Sequence, residues 1–134
     1  MNVLRLGLAA ALAVALYGCE SAPVKETVQG IKSIFEPSKG EQSLAAGLQQ
    51  YDEGRYNESA RSLQASLDAG LSSKSDQVKA HKYLAFIHCV SEREWLCRDE
   101  FRKALKIDPA FDLDPAEAGH PIWGPAFRSV KARR

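Results

Sequence analysis

Apolar and polar residues along this chain alternate with the period of helices, after an opening stretch that has no polar face. Leu6 to Leu16 is an unbroken run of leucine, alanine, glycine and valine behind Arg5. It is shorter than the roughly 20 residues that a bilayer-spanning helix needs. The run therefore reads as the apolar part of an export signal rather than as a permanent span. Val24, Val28, Ile31 and Phe35 then recur at helical steps, with Gly30 interrupting the pattern and Pro37 closing it.

From Ser38 the periodicity is sustained. Ser38 and Glu41 have the spacing of a capping box, and Leu44, Gly47, Leu48 and Tyr51 fall on one face of the helix that follows. Asp52-Glu53-Gly54 marks a turn. Tyr56, Ser59, Ala60, Leu63 and Leu67 form the stripe of a second helix ending at Gly70, and Ser72 to Ser75 read as a polar loop. Val78, His81, Leu84, Ala85 and His88 trace a third helix. Ser91 to Glu94 have capping-box spacing for a fourth, whose apolar positions are Trp95, Cys97, Phe101, Ala104, Leu105 and Ile107, with Pro109 as its stop. Asp114-Pro115-Ala116-Glu117 predicts a short helical turn, ended by Gly119 and Pro121. A last helix over 126–132 is expected to bury Ile122, Trp123, Phe127 and Val130. No run alternates β-branched residues with period two, so strands are not expected.

The two helix pairs repeat. Gly47, Gly54, Tyr56, Ser59, Leu63, Ser66 and Leu67 superpose on Ala85, Glu92, Glu94, Cys97, Phe101, Ala104 and Leu105 at an offset of 38 residues. Small residues fall where antiparallel helices approach, and large ones where space must be filled. The segment from Phe101 to Pro109 resembles the second helix of a tetratricopeptide (TPR) unit, whose period is near 34 residues. This resemblance implies an all-α fold of two TPR-like antiparallel helical hairpins with a C-terminal capping helix. In TPR hairpins the first helix of each repeat lines a concave face. Carried over, that places Leu44, Leu48, Tyr51, Lys79, Lys82 and Phe86 in a partner-binding groove. An apolar floor flanked by lysines suits an acidic peptide, and either a partner or the chain's own terminal segments would fill it.

Leu16-Tyr17-Gly18-Cys19 follows the apolar run and resembles the lipobox of bacterial lipoproteins. The resemblance implies cleavage before Cys19, lipidation of its thiol, and, with Glu20 next, retention at the outer membrane facing the periplasm. The expected organisation is a signal over 1–18, a lipid-anchored tether over 19–37 and a helical domain over 38–134. Cys89 and Cys97 are then an even pair in an oxidising compartment, flanking a tight turn. They are expected either as a disulfide or as two separately buried thiols. The tail from Asp108 to Pro125 resembles the endings of small TPR lipoproteins associated with type VI secretion systems.

Charge narrows the function further. Basic residues number 18 and acidic residues 17, a balance that argues against nucleic acid as a partner. Arg128, Lys131, Arg133 and Arg134 crowd the end of the chain and read as a solvated helix terminus. His81 and His88 share a helix face and read as packing residues rather than metal ligands. The sequence carries no GxSxG, HExxH or phosphate-cradling glycine loop. The expected function is a non-catalytic adaptor with no cofactor beyond lipid on Cys19, binding protein or peptide partners of an envelope machine. The alternatives are an assembly factor for outer-membrane, pilus or peptidoglycan-synthesis machinery, or a cell-wall enzyme.

Overall fold

The computed structural model describes residues 36–133. The apolar run, the lipobox with Cys19, the spacing from Val24 to Phe35, and Arg134 lie outside these described residues. Among the described residues six helices follow one another: α1 (Lys39–Asp52), α2 (Tyr56–Ala69), α3 (Lys74–Val90), α4 (Glu94–Ile107), α5 (Pro115–Ala118) and α6 (Trp123–Lys131). The described residues are all helix and loop. α1 pairs antiparallel with α2 and α3 with α4, giving two TPR-like hairpins, and α6 packs on the second hairpin as a cap.

Each hairpin is shaped by close approach at its middle and a left-handed residue at its tip. In the first, a side chain on Gly47 would meet Leu63 at 2.8 Å, so only hydrogen fits where α1 crosses α2. Ser59 uses the closeness by donating its hydroxyl to the Gly47 carbonyl at 2.7 Å. Ser66, fully buried, donates to the Leu63 carbonyl within its own helix. Both hydroxyls thus enter the core with their hydrogen bonds made.

The two tips superpose bond for bond. α1 ends with Arg55 N donating to Gln50 O and Gly54 N to Tyr51 O, the paired bonds of a Schellman motif. α3 ends with Arg93 N donating to His88 O and Glu92 N to Cys89 O, the same bonds 38 residues later. Gly54 has φ 75° and Glu92 has φ 61°. The turn geometry of the repeat is therefore kept where its glycine is not. This also corrects the expected capping box at Ser91 to Glu94. Ser91 is the C-cap of α3, and α4 begins after Arg93 without a side-chain cap. The Schellman turn has already fixed the backbone that a box would have needed.

α3 is the shared wall. Ala80, Leu84 and Ile87 face a first core with Leu44, Leu63 and Leu71. Ala85, Phe86 and Cys89 face a second core with Cys97, Phe101, Leu105, Leu113, Ala126, Phe127 and Val130. A helix apolar around most of its circumference is one buried on both sides, so its core positions exceed the single stripe of the periodicity. Cys89 and Cys97 form a disulfide with Cα atoms 5.0 Å apart across the second tip. Closing so short a loop restricts the unfolded chain and contributes about 2–3 kcal/mol.

Some expected core positions lie outside. Trp95 is 71% exposed and Ile122 51%, because α4 and α6 turn these residues away from the second core. Tyr56 is 41% exposed. α3 begins inside the expected polar loop, where Ser73 accepts a hydrogen bond from Asp76 N. α6 starts three residues early, at Trp123, and runs through Pro125 in its first turn. Proline lacks only an amide that has no partner there.

A non-glycine residue in the left-handed region costs roughly 1–2 kcal/mol. Glu92→Gly should therefore raise unfolding free energy by about 0.5–1 kcal/mol in urea melts, part of the gain being offset by glycine's greater freedom when unfolded. Gly54→Ala should lower it by about 1 kcal/mol. A destabilised Glu92→Gly chain would contradict this account of the turns.

Candidate functional site

The C-terminal segment decides what remains open on the face lined by α1 and α3. Asp114 N donates to Glu117 Oε2 at 3.1 Å, and Pro115 occupies the first position of α5. Glu117 Oε1 then accepts from Lys82 Nζ at 2.7 Å, and its carbonyl accepts from Trp123 Nε1 at 2.8 Å. One residue thus ties α5 to both α3 and α6. Trp123 stacks on Phe86 with ring centroids 4.3 Å apart, and His120 stacks on the tryptophan. Phe127 sits edge-on between Phe101 and Phe111, at 5.1 and 5.5 Å.

The groove residues separate accordingly. Leu44 is buried in the first core, with Leu48 packed half-buried against it. Phe86 is buried beneath Trp123. Tyr51 bridges the two cores, 4.8 Å from Tyr83 and 5.4 Å from Tyr56. Burial first, then the neighbouring Tyr56, Tyr83 and Glu117, push its phenol up to about 12. The structure therefore does not leave Leu44 and Phe86 as an open floor, since packing by α2 and by the tail takes that surface.

Lys79 and Lys82 instead flank a different cleft of about 490 Å³, between the start of α3 and the loop after α4. Val78, Ile107, Pro109 and Phe111 give it an apolar lining, and Lys74 and Ser75 join the two lysines at its edge. Asp108 is the one acid in the lining. Lys79 is half-exposed and paired loosely with Asp76 at 3.6 Å, whereas Lys82 is largely covered by its bond to Glu117. Pro109 and Phe111 line this cleft because α4 stops at Ile107 and the chain turns back toward α3. The stop was visible in Pro109; the direction of the return depends on Leu113 entering the second core.

The chain matches no family model, no curated protein and no solved structure. Its chemistry is read from its own side chains.

A buried polar cluster lies between α3 and α4. His81 Nδ1 is 2.6 Å from Glu100 Oε2, and Lys103 Nζ donates to Glu100 Oε1 at 2.7 Å. Glu100 is 4% exposed. Burial alone would raise its pKa, but the hydrogen bonds from His81 and Lys103 prevail and hold it below the ordinary carboxylate value. Hydrogen bonding to Glu100 raises Lys103 in return. His88, two turns further along α3, is held low by burial and then by Arg93. The buried acid was missed in the sequence although it adjoins Phe101 on the apolar face of α4. Among the described residues no three side chains are grouped to hold a metal ion.

Acid should weaken this fold through two groups in succession. His88 is depressed, so its contribution is complete above the ordinary imidazole pKa and falls as pH drops toward its folded value. Glu100 is depressed too, so its contribution is complete above the ordinary carboxylate pKa and is lost as pH falls through the folded one. Thermal melts from pH 7 to pH 3 should show a falling Tm. Glu100→Gln should cost about 1–3 kcal/mol at pH 7 by leaving Lys103 and His81 without their carboxylate, and should flatten the fall below pH 5. Identical pH slopes in both chains would remove Glu100 from this role.

Proposed function

We propose that this chain is a non-catalytic adaptor, anchored by lipid on Cys19 at the outer membrane and facing the periplasm, that docks a partner of an envelope machine. The observation that carries the reading is the lysine-edged, apolar-lined cleft of about 490 Å³ between α3 and the α4–α5 loop. Apolar surface supplies affinity, while Lys74 and Lys79 select an acidic partner by complementary charge. The placement at a membrane rests on the resemblance of Leu16 to Cys19 to a lipobox. The resemblance of the tail to type VI secretion lipoproteins makes a subunit of that apparatus the partner of choice.

Two hairpins and a cap pack as one unit, which suits holding one protein beside another. Nothing in this reading asks the domain to transform a substrate. One wall of the cleft is the start of α3 and the other is the loop after α4, which Phe111 and Leu113 tie to the second core.

A photo-crosslinking residue at Ser75, in cells carrying the secretion apparatus, tests the proposal. It should trap an apparatus subunit through an acidic segment. Lys74→Glu with Lys79→Glu should reduce that product at least tenfold while leaving Tm within a few degrees, because Lys74 is exposed and Lys79 is half-exposed in a loose pair with Asp76. Equal crosslinking in the double variant, or no apparatus subunit in the wild-type product, would overturn it.

A further inference from the structure

A second cleft, of about 500 Å³, opens on the far side of the second hairpin, between α4 and α6. Its walls carry four cations, Arg98, Arg102, Lys106 and Arg133, and none of its lining residues is an acid. Leu105 and Val130 form an apolar floor, and Ser129 adds a hydroxyl. Neither α1 nor α2 contributes to it, and it shares no residue with the lysine-edged cleft.

Structural needs account for only part of this arrangement. Lys106 lies in the last turn of α4 and Arg133 just beyond α6, where cations complement the helix dipoles. Arg98 and Arg102 lie nearer the start and middle of α4, beyond the reach of that effect. Arg98, Arg102 and Lys106 also follow one another at steps of four, which places like charges side by side and disfavours the helix. Local acids answer them incompletely. Glu94 takes one Arg98 amine, Asp99 stands 3.7 Å from Arg102, and no described acid pairs with Lys106 or Arg133. The Arg98 Nε is buried and has no hydrogen-bond partner among the described residues.

We propose that this cleft binds a phosphate ester: its phosphate is held by the guanidinium groups of Arg98, Arg102 and Arg133 with Lys106, and its less polar body lies over Leu105 and Val130. Guanidinium forks match tetrahedral phosphate oxygens in paired hydrogen bonds, and a dianion relieves the repulsion along the α4 row. A single carboxylate would offset less of the positive charge that Glu94 and Asp99 leave unanswered. The same monoester dianion is presented by a phosphatidic acid headgroup and by a soluble phosphate ester.

Isothermal titration of the purified full chain distinguishes them. The probes are dihexanoylphosphatidic acid below its micelle concentration, glycerol 3-phosphate, inorganic phosphate and citrate. Saturable binding of the short-chain lipid at least tenfold tighter than glycerol 3-phosphate assigns the site to a headgroup. Comparable binding of both, with each tighter than inorganic phosphate, assigns it to a soluble ester. In either case Arg102→Glu with Arg133→Glu should weaken binding at least thirtyfold at unchanged Tm. The milder Arg102→Gln with Arg133→Gln should weaken it several-fold and guards against a folding defect. No saturable binding of any phosphate probe, citrate binding as tightly as the best of them, or unchanged affinity in both variants would overturn the proposal.

Discussion

The second hairpin cannot cover its own apolar surface. Phe86 on α3 and Phe101 on α4 meet edge to face, with ring centroids 6.1 Å apart, but their other faces need a further layer, and the described residues hold no third hairpin to supply it. The C-terminal segment supplies the missing layer, with Trp123 stacked on Phe86 and Phe127 inserted between Phe101 and Phe111. Two stacked units are fewer than repeat arrays normally need for a continuous core. The cap is therefore part of the core, and its docking fixes Glu117, Lys82 and the loop that shapes the lysine-edged cleft.

The same contact reconciles the two faces of α3. One side meets the first hairpin through Ala80, Leu84 and Ile87, and the other meets the cap through Phe86. Loss of the cap would leave α3 with one wet apolar side, which links the tail to α1 and α2 through a shared helix. The disulfide closes the tip of the hairpin that receives the cap, and the buried Glu100 pins α3 to α4 through His81. Three different chemistries thus reinforce the one hairpin that depends on a later segment of chain.

Much of this was legible in the residues. The helices and the offset of 38 follow from periodicity and small-residue placement, whereas Cys89 and Cys97 were legible only as neighbours across a tight turn, and the structure joins them. The equivalence of Gly54 and Glu92 was visible as an alignment, but a left-handed glutamate is not written in its side chain. It is imposed by the Schellman bonds that the hairpin closes. The groove was the harder inference: Phe86 reads equally well as a binding surface or as a seat for Trp123, since both uses want an exposed aromatic on α3. Only the three-dimensional return of the tail decides between them. Trp95 and Ile122 show the converse, apolar side chains whose helical phase carries them past the edge of the core.

The account stands on the cap being part of the cooperative core. Hydrogen exchange on Phe127→Ala measures this most directly, because burying that ring is worth about 3–5 kcal/mol in truncation. The account predicts that slow-exchanging amides of α3 and α4 lose protection by that amount, with smaller losses reaching α1 and α2 through α3. Fraying confined to α6, with α3 and α4 as protected as in the wild type, would contradict it.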